Sequence, residues 1–216
     1  MKLSLSQEQL AAYVDRQIEQ FFPDGTAGIG CYLSRTLERV DYCFSRVRNK
    51  YFLDGEQTLF NHLHSDQYAM FLYFLSNTVW RTDGNARLAS KIYGLNKALH
   101  AVDLFYEVEL PSAFLLSHPV GTVLGRGNYA DYFVVYQNCT VGSNLDGEYP
   151  VLEEGVVMYG GCSLIGRCHI QQNTWIAAGT LVMDRDLPRD QVVFGRHPLV
   201  ASKSTRRNVQ EQYFLS

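Results

Sequence analysis

The chain has 216 residues, a net charge of −3, 46% hydrophobic and 19% charged residues. That length suits one large domain or two small ones with an ordinary core, and the slight acidity gives no electrostatic reason to expect a nucleic-acid or anionic-membrane partner. The longest apolar run, Tyr68 to Leu75, falls far short of the roughly 18–20 residues a membrane span needs. The first residues, Met1-Lys2-Leu3-Ser4-Leu5-Ser6, hold no apolar stretch of signal-peptide length, so a cytoplasmic protein is expected. Five cysteines, at 31, 43, 139, 162 and 168, make an odd set without a CxxC pair, which argues against a disulfide framework and a zinc ribbon.

The N-terminal half reads helical. After a cap at Ser6, Leu10, Tyr13, Val14, Ile18 and Phe21 recur at helical spacing, and Pro23-Asp24-Gly25 ends the run. Leu33, Leu37, Val40, Phe44 and Val47 form a second stripe. A third helix starts near Ser65-Asp66 and carries Phe71, Phe74, Leu75 and Val79. Thr82-Asp83-Gly84 breaks it, and Leu88, Ile92, Leu95, Leu99 and Val102 give a fourth stripe. These stripes are read as packing faces.

Beyond about residue 103 the helical period disappears. Leu152, Met158, Leu164, Ile170, Ile176 and Val182 follow one another in steps of six. Val156, Cys162, Cys168, Thr174 and Thr180 stand four places after the first five of them. Tyr129, Val135 and Val141 keep the same rhythm upstream, and the stretch from Ser143 to Pro150 shifts the register by one residue. Neither 3.6 nor 2 explains a period of six, so each unit is a short strand plus a turn, with one aliphatic inward and one compact residue at the bend. Stacked units bury a column that no unit could bury alone. On this reading Cys139, Cys162 and Cys168 are small corner residues.

The repeat resembles that of the hexapeptide acyltransferases, and within them the serine acetyltransferases, whose helical domain precedes the repeats as here. Ala101-Val102-Asp103-Leu104 resembles the segment with that family's catalytic aspartate, and Leu116-Ser117-His118-Pro119-Val120-Gly121 the segment with its catalytic histidine, 15 residues on. Cys139-Thr140-Val141-Gly142, Glu154-Gly155-Val156-Val157-Met158 and Trp175-Ile176-Ala177-Ala178-Gly179-Thr180 resemble later coils. The resemblance implies an α+β fold with an N-terminal α-helical domain (1–102), a left-handed parallel β-helix of hexapeptide repeats (103–199) and a C-terminal tail (200–216). It also implies a homotrimer or dimer of trimers with active sites between neighbouring β-helices.

For the chemistry, the resemblance implies that His118 takes the proton of an acceptor hydroxyl as it attacks acetyl-CoA, the co-substrate, while Asp103 holds the imidazole. Histidine has the intrinsic pKa for that work. By the same resemblance Ser143, Gly160 and Ala178 lie along the edge that takes the pantetheine arm, although small residues would equally suit β-helix corners. Lys203 and Arg206, with Arg185, Arg189, Arg196 and Arg207, are candidates for the phosphates of CoA or for a solvated basic tail. The family's lysine on the penultimate coil is Trp175 here. His62 and His64 fall in a polar stretch, His100 ends the fourth helix where a cation favours the dipole, and no three histidines are spaced to hold a metal.

Three departures bear on the acceptor. The family's aspartate before the histidine is Ser117, its Ala-Thr-Gly is Pro119-Val120-Gly121, and its Arg-His-Pro is Glu148-Tyr149-Pro150 on a shortened loop. Ser117, Glu148 and Tyr149 are therefore the candidate acceptor-binding residues, and a glutamate in place of arginine would repel a carboxylate. The expectation is an acetyl-CoA-dependent O-acetyltransferase acting on a sugar or other small hydroxyl compound rather than free serine. N-acylation of an amino sugar and a non-catalytic β-helix scaffold are the alternatives.

Overall fold

Helix α1 (Gln7–Phe21) begins where the sequence places its cap: the Ser6 hydroxyl accepts from the Gln9 N–H and the Gln9 side chain answers to the Ser6 N–H. Helices α2 (Gly30–Phe44), α3 (Ser65–Asp83) and α4 (Ala86–His100) follow. The computed structural model describes residues 1–25 and 28–215. Helix α3 is buried on every side from Asp66 to Val79, so the apolar run at Tyr68–Leu75 is the central helix of a packed domain. None of the helices among the described residues is long and apolar enough to cross a membrane. The half read as wholly helical also contains a small sheet. Strand β3 (Gln57–Phe60) pairs in parallel with β1 (Lys2–Leu3) and antiparallel with β2 (Leu53–Asp54).

From Asp103 the chain winds into a solenoid of about five coils with three flat sides. One side stacks β4 (Asp103–Leu104), β6 (Val123–Leu124), β9 (Thr140–Gly142), β12 (Ser163–Ile165) and β15 (Leu181–Met183), each pairing in parallel with the next. A second stacks β5 (Phe114–Leu116), β8 (Phe133–Val135), β11 (Val157–Met158), β14 (Trp175–Ile176) and β16 (Gln191–Arg196). The third holds β7 (Asn128–Tyr129), β10 (Val151–Leu152) and β13 (His169–Ile170), continued by a bridge from Ile170 to Leu187. Every residue of the six-step series from Leu152 to Val182 points inward and is at most 2% exposed, as are Val156, Cys162, Cys168, Thr174 and Thr180 at the bends. Each inward aliphatic side chain contributes roughly 1.5–3 kcal/mol of burial.

The helical domain sits on the first coil. The Tyr73 hydroxyl donates to the Val108 carbonyl (2.8 Å) and accepts from the Leu110 N–H (2.8 Å), and the Asn77 amide donates to the Tyr106 carbonyl (2.9 Å). The segment set apart in sequence as a tail is packed. Strand β17 (Leu199–Ser204) lies antiparallel to β16, and α5 (Val209–Tyr213) returns along the second side. There the Tyr213 hydroxyl meets those of Tyr159 (2.9 Å) and Tyr136 (3.3 Å), and Phe214 bridges to Val47.

Candidate active site

The corner between the second and first sides is a ladder of turns. Gly121 N–H donates to Ala101 (2.9 Å), Asn138 N–H to Val120 (2.9 Å), Gly161 N–H to Gln137 (2.9 Å) and Gly179 N–H to Gly160 (3.0 Å), all on carbonyls. At a coil spacing of about 4.8 Å, Gly160 and Ala178 lie roughly 10 and 14 Å along the corner from the His118 turn. His118, Gly160 and Ala178 thus lie along one corner, with the exposed Gln137 on the coil between His118 and Gly160, a residue the repeat pattern does not single out. Arg196 closes the far end, its guanidinium donating to the Gly179 carbonyl (3.3 Å). Among the described residues the backbone N–H groups of Gln137, Gly160 and Ala178 donate to no protein acceptor, which leaves one free donor per coil along this edge.

The His118 side chain is 82% exposed at the head of this corner, and Ser117 beside it donates its backbone N–H to the Val135 carbonyl (2.9 Å). The carboxylate within 4 Å of the imidazole is Asp66, from the first turn of α3: its Oδ2 accepts the His118 backbone N–H (3.0 Å) and lies 3.9 Å from Nδ1. Asp103 is engaged elsewhere. It accepts from the Tyr93 hydroxyl (2.6 Å) and the Lys97 ammonium (2.6 Å), because the last turns of α4 lie against the start of β4. Burial alone would raise the Asp103 carboxyl, but those two hydrogen bonds outweigh it and hold it below the usual carboxylate range. The structure therefore places Asp103 one coil below the His118 turn without joining the two side chains. Behind the turn a cavity of about 180 Å³ is lined by Asp66, Leu99, His100, Pro119 and Val120. Burial pushes the His100 imidazole below its ordinary value, and its Nδ1 lies 2.8 Å from the Asn96 side-chain oxygen.

The remaining candidates lie elsewhere on the chain. Ser143, Glu148 and Tyr149 belong to the loop between β9 and β10, at the corner between the first and third sides, so Ser143 is separated from Gly160 and Ala178 by the width of the first side. The physical reason is the phase of the repeat: Ser143 follows a first-side strand, whereas Gly160 and Ala178 follow second-side strands. Within that loop the Asn144 amide donates to Glu148 Oε2 (2.9 Å) and Asp184 Oδ1 (2.9 Å), and Asn144 Oδ1 accepts from the Asp146 and Glu148 N–H groups. Glu148 is thus held in its own turn. Lys203 pairs with Val192 over the second side, and Arg206 follows Thr205, which bonds Asp190 near the third corner; neither overhangs His118. Cys43 is pushed up to about 12 by burial, Cys162 is raised by its contact with Cys139 and by burial, and Cys168 by burial, as suits corner and core thiols. Among the described residues no group of three His, Cys, Asp or Glu side chains converges on a metal position.

No family model matches the sequence. The chain is 30% identical over 105 residues to a serine acetyltransferase of Synechococcus elongatus, covering 47% of this chain and 43% of that protein. It is 24% identical over 132 residues to a putative serine acetyltransferase of Schizosaccharomyces pombe, covering 59% and 48%. The match thus spans about half the length of these curated relatives. The crystal structure of Brucella abortus serine acetyltransferase in complex with coenzyme A superposes with a TM-score of 0.69 at 19% identity, over 95% of this chain and 84% of that one. Superposition preserves hand, so the solenoid has the hand of that coil, the left hand which the resemblance implies. These proteins are named for serine, which gives no support to an acceptor other than serine. The chain is thus similar in sequence to serine acetyltransferases over about half of its length, and it shares the fold of that solved structure, an N-terminal helical domain on a left-handed β-helix.

Proposed function

We propose that the protein is an acetyl-CoA-dependent O-acetyltransferase with L-serine as its acceptor. The observation that carries this reading is the exposed His118 imidazole at the head of a solenoid corner whose edge offers one free backbone N–H per coil at Gln137, Gly160 and Ala178. His118 takes the proton of the acceptor hydroxyl as its oxygen attacks the thioester carbonyl. The new C–O bond forms, the C–S bond breaks, and the imidazolium returns the proton to the departing thiolate. A free N–H at the corner suits the oxyanion of the tetrahedral intermediate, and the small residues at 160 and 178 allow the thioester arm close to the backbone. Serine is chosen from the names of the relatives. Of the three departures that argued against it in sequence, the most telling was Glu148, which Asn144 engages within its own loop.

In one chain the 143–150 loop is a corner away from His118, so Ser143, Glu148 and Tyr149 would reach the His118 edge only from a second copy, as a homotrimer would bring them. Thiol release from acetyl-CoA with L-serine, followed with a thiol reagent, tests the activity, and sedimentation mass tests the assembly. Release that is serine-dependent and lost in His118→Ala is expected. Background release with serine and with a panel of hydroxyl and amine acceptors would overturn the reading.

A further inference from the structure

In each regular coil the turn from the second to the first side has three residues between the inward aliphatic and the buried corner residue: 136–138 before Cys139, 159–161 before Cys162 and 177–179 before Thr180. The residue just before the corner is left-handed each time, at Asn138 (φ 55°), Gly161 (φ 76°) and Gly179 (φ 73°). The first such turn is longer, with five residues, Ser117–Gly121, between Leu116 and the buried Thr122. Gly121 (φ 76°) takes the regular left-handed place. His118 is a second left-handed residue (φ 49°) with no counterpart in the other coils, in a region that disfavours side chains with a Cβ. What holds it there is Asp66, whose carboxylate is the acceptor of the His118 N–H and faces the ring at 3.9 Å while only 11% exposed.

We infer that Asp66, not Asp103, is the positioning residue for the His118 imidazole, fixing its strained backbone and supplying the negative charge beside the ring. The inference deepens the acetyltransferase reading and rests on it for its catalytic meaning. The charged and titratable groups around His118 are Asp66 from α3, His100 from the end of α4 on the same cavity, and the Lys97–Asp103 pair between α4 and β4, whose charges offset each other. Asp66 is the one of these within 4 Å of the ring. Its carboxylate favours the imidazolium that forms when His118 accepts a proton.

The test reads the His118 backbone amide by NMR in the full chain, assigned with His118→Gln, beside steady-state kinetics. Asp66→Ala removes both the acceptor and the charge, and it is expected to shift the His118 amide resonance upfield, whereas Asp103→Asn leaves that resonance in place. The same Asp66→Ala change should reduce kcat roughly 10-fold with KM for acetyl-CoA near wild type, and Asp66→Glu, which keeps a carboxylate, should recover part of that loss. If Asp66→Ala fails to fold, Asp66→Asn, which keeps an oxygen and removes only the charge, carries the same comparison. An unmoved His118 amide in a folded Asp66 variant, or one moved by Asp103→Asn instead, would overturn the inference. The resonance reads out without turnover, so a failure of the acetyltransferase assay leaves that arm intact.

Discussion

Truncating Leu164 to alanine isolates the physical claim behind the solenoid, that the hexad residue is inward and its neighbour is not. Leu164 is fully buried on β12, in register with Val141 below and Val182 above. The change removes three carbons, about 2.4 kcal/mol of transfer free energy at ~0.8 kcal/mol each. The hydrogen-bonded ladder fixes the coil spacing and limits collapse into the cavity, bringing the total to about 3–4 kcal/mol. With a urea m-value of about 2–3 kcal/mol/M, the unfolding midpoint should fall by roughly 1–2 M. His169 occupies the outward place beside Ile170, 45% exposed and paired with Glu153 at 2.7 Å. His169→Ala should cost less than about 1 kcal/mol, a midpoint change below about 0.5 M. Equal shifts in the two variants, by urea titration of far-UV circular dichroism, would refute the assignment of inward and outward positions.

Enlarging the side chain at position 178 tests the proposed cofactor edge. Ala178→Leu should raise KM for acetyl-CoA roughly 10-fold and leave the unfolding midpoint near wild type, and an unchanged KM would remove Ala178 from the cofactor edge. For pH, His100 is held below its unfolded value by burial, so the unfolded chain binds its proton more readily and stability falls as pH drops below about 6.5. His100→Gln should flatten the loss of urea midpoint between pH 7.5 and 5.5, and an identical slope in both proteins would show that His100 is not the titrating group.

The stripes that mark α1 to α4 are legible because burial on one helical face forces a period of 3.6, and the solenoid is legible because stacking identical turns forces a period of six. The small sheet of β1 to β3 carries neither signal. Lys2 and Leu3 pair with Leu59 and Phe60, more than fifty residues away, through two-residue contacts too short to show an alternation. The corner that a residue occupies is written in the sequence only when hexads are counted in threes. Val141 and Leu164 are one coil apart on one side, Met158 and Ile176 one coil apart on another, and that count separates Ser143 from Gly160 and Ala178. Asp66 is visible in sequence only as a helix start, since its place beside His118 depends on how α3 packs on the first coil.

Where the repeat is regular, the residue before the buried corner carries both the ladder N–H and the left-handed conformation, as at Asn138, Gly161 and Gly179. The two places where the spacing departs most from that pattern are the five-residue turn at Ser117–Gly121 and the eleven-residue step from Val141 to Leu152, and these carry His118 and the Glu148-Tyr149 loop. Extra length lifts His118 out of the corner to 82% exposure and takes its N–H off the ladder, so the helical domain supplies the missing acceptor through Asp66. The helical domain is then part of the site, because without α3 the elongated turn has neither its backbone acceptor nor the charge facing its imidazole. A substitution that loosens α3 from the first coil, such as Tyr73→Phe with its loss of the bonds to Val108 and Leu110, should therefore reduce kcat more than it raises KM for acetyl-CoA. A rise in KM alone would mean that the turn keeps its shape without the helix behind it.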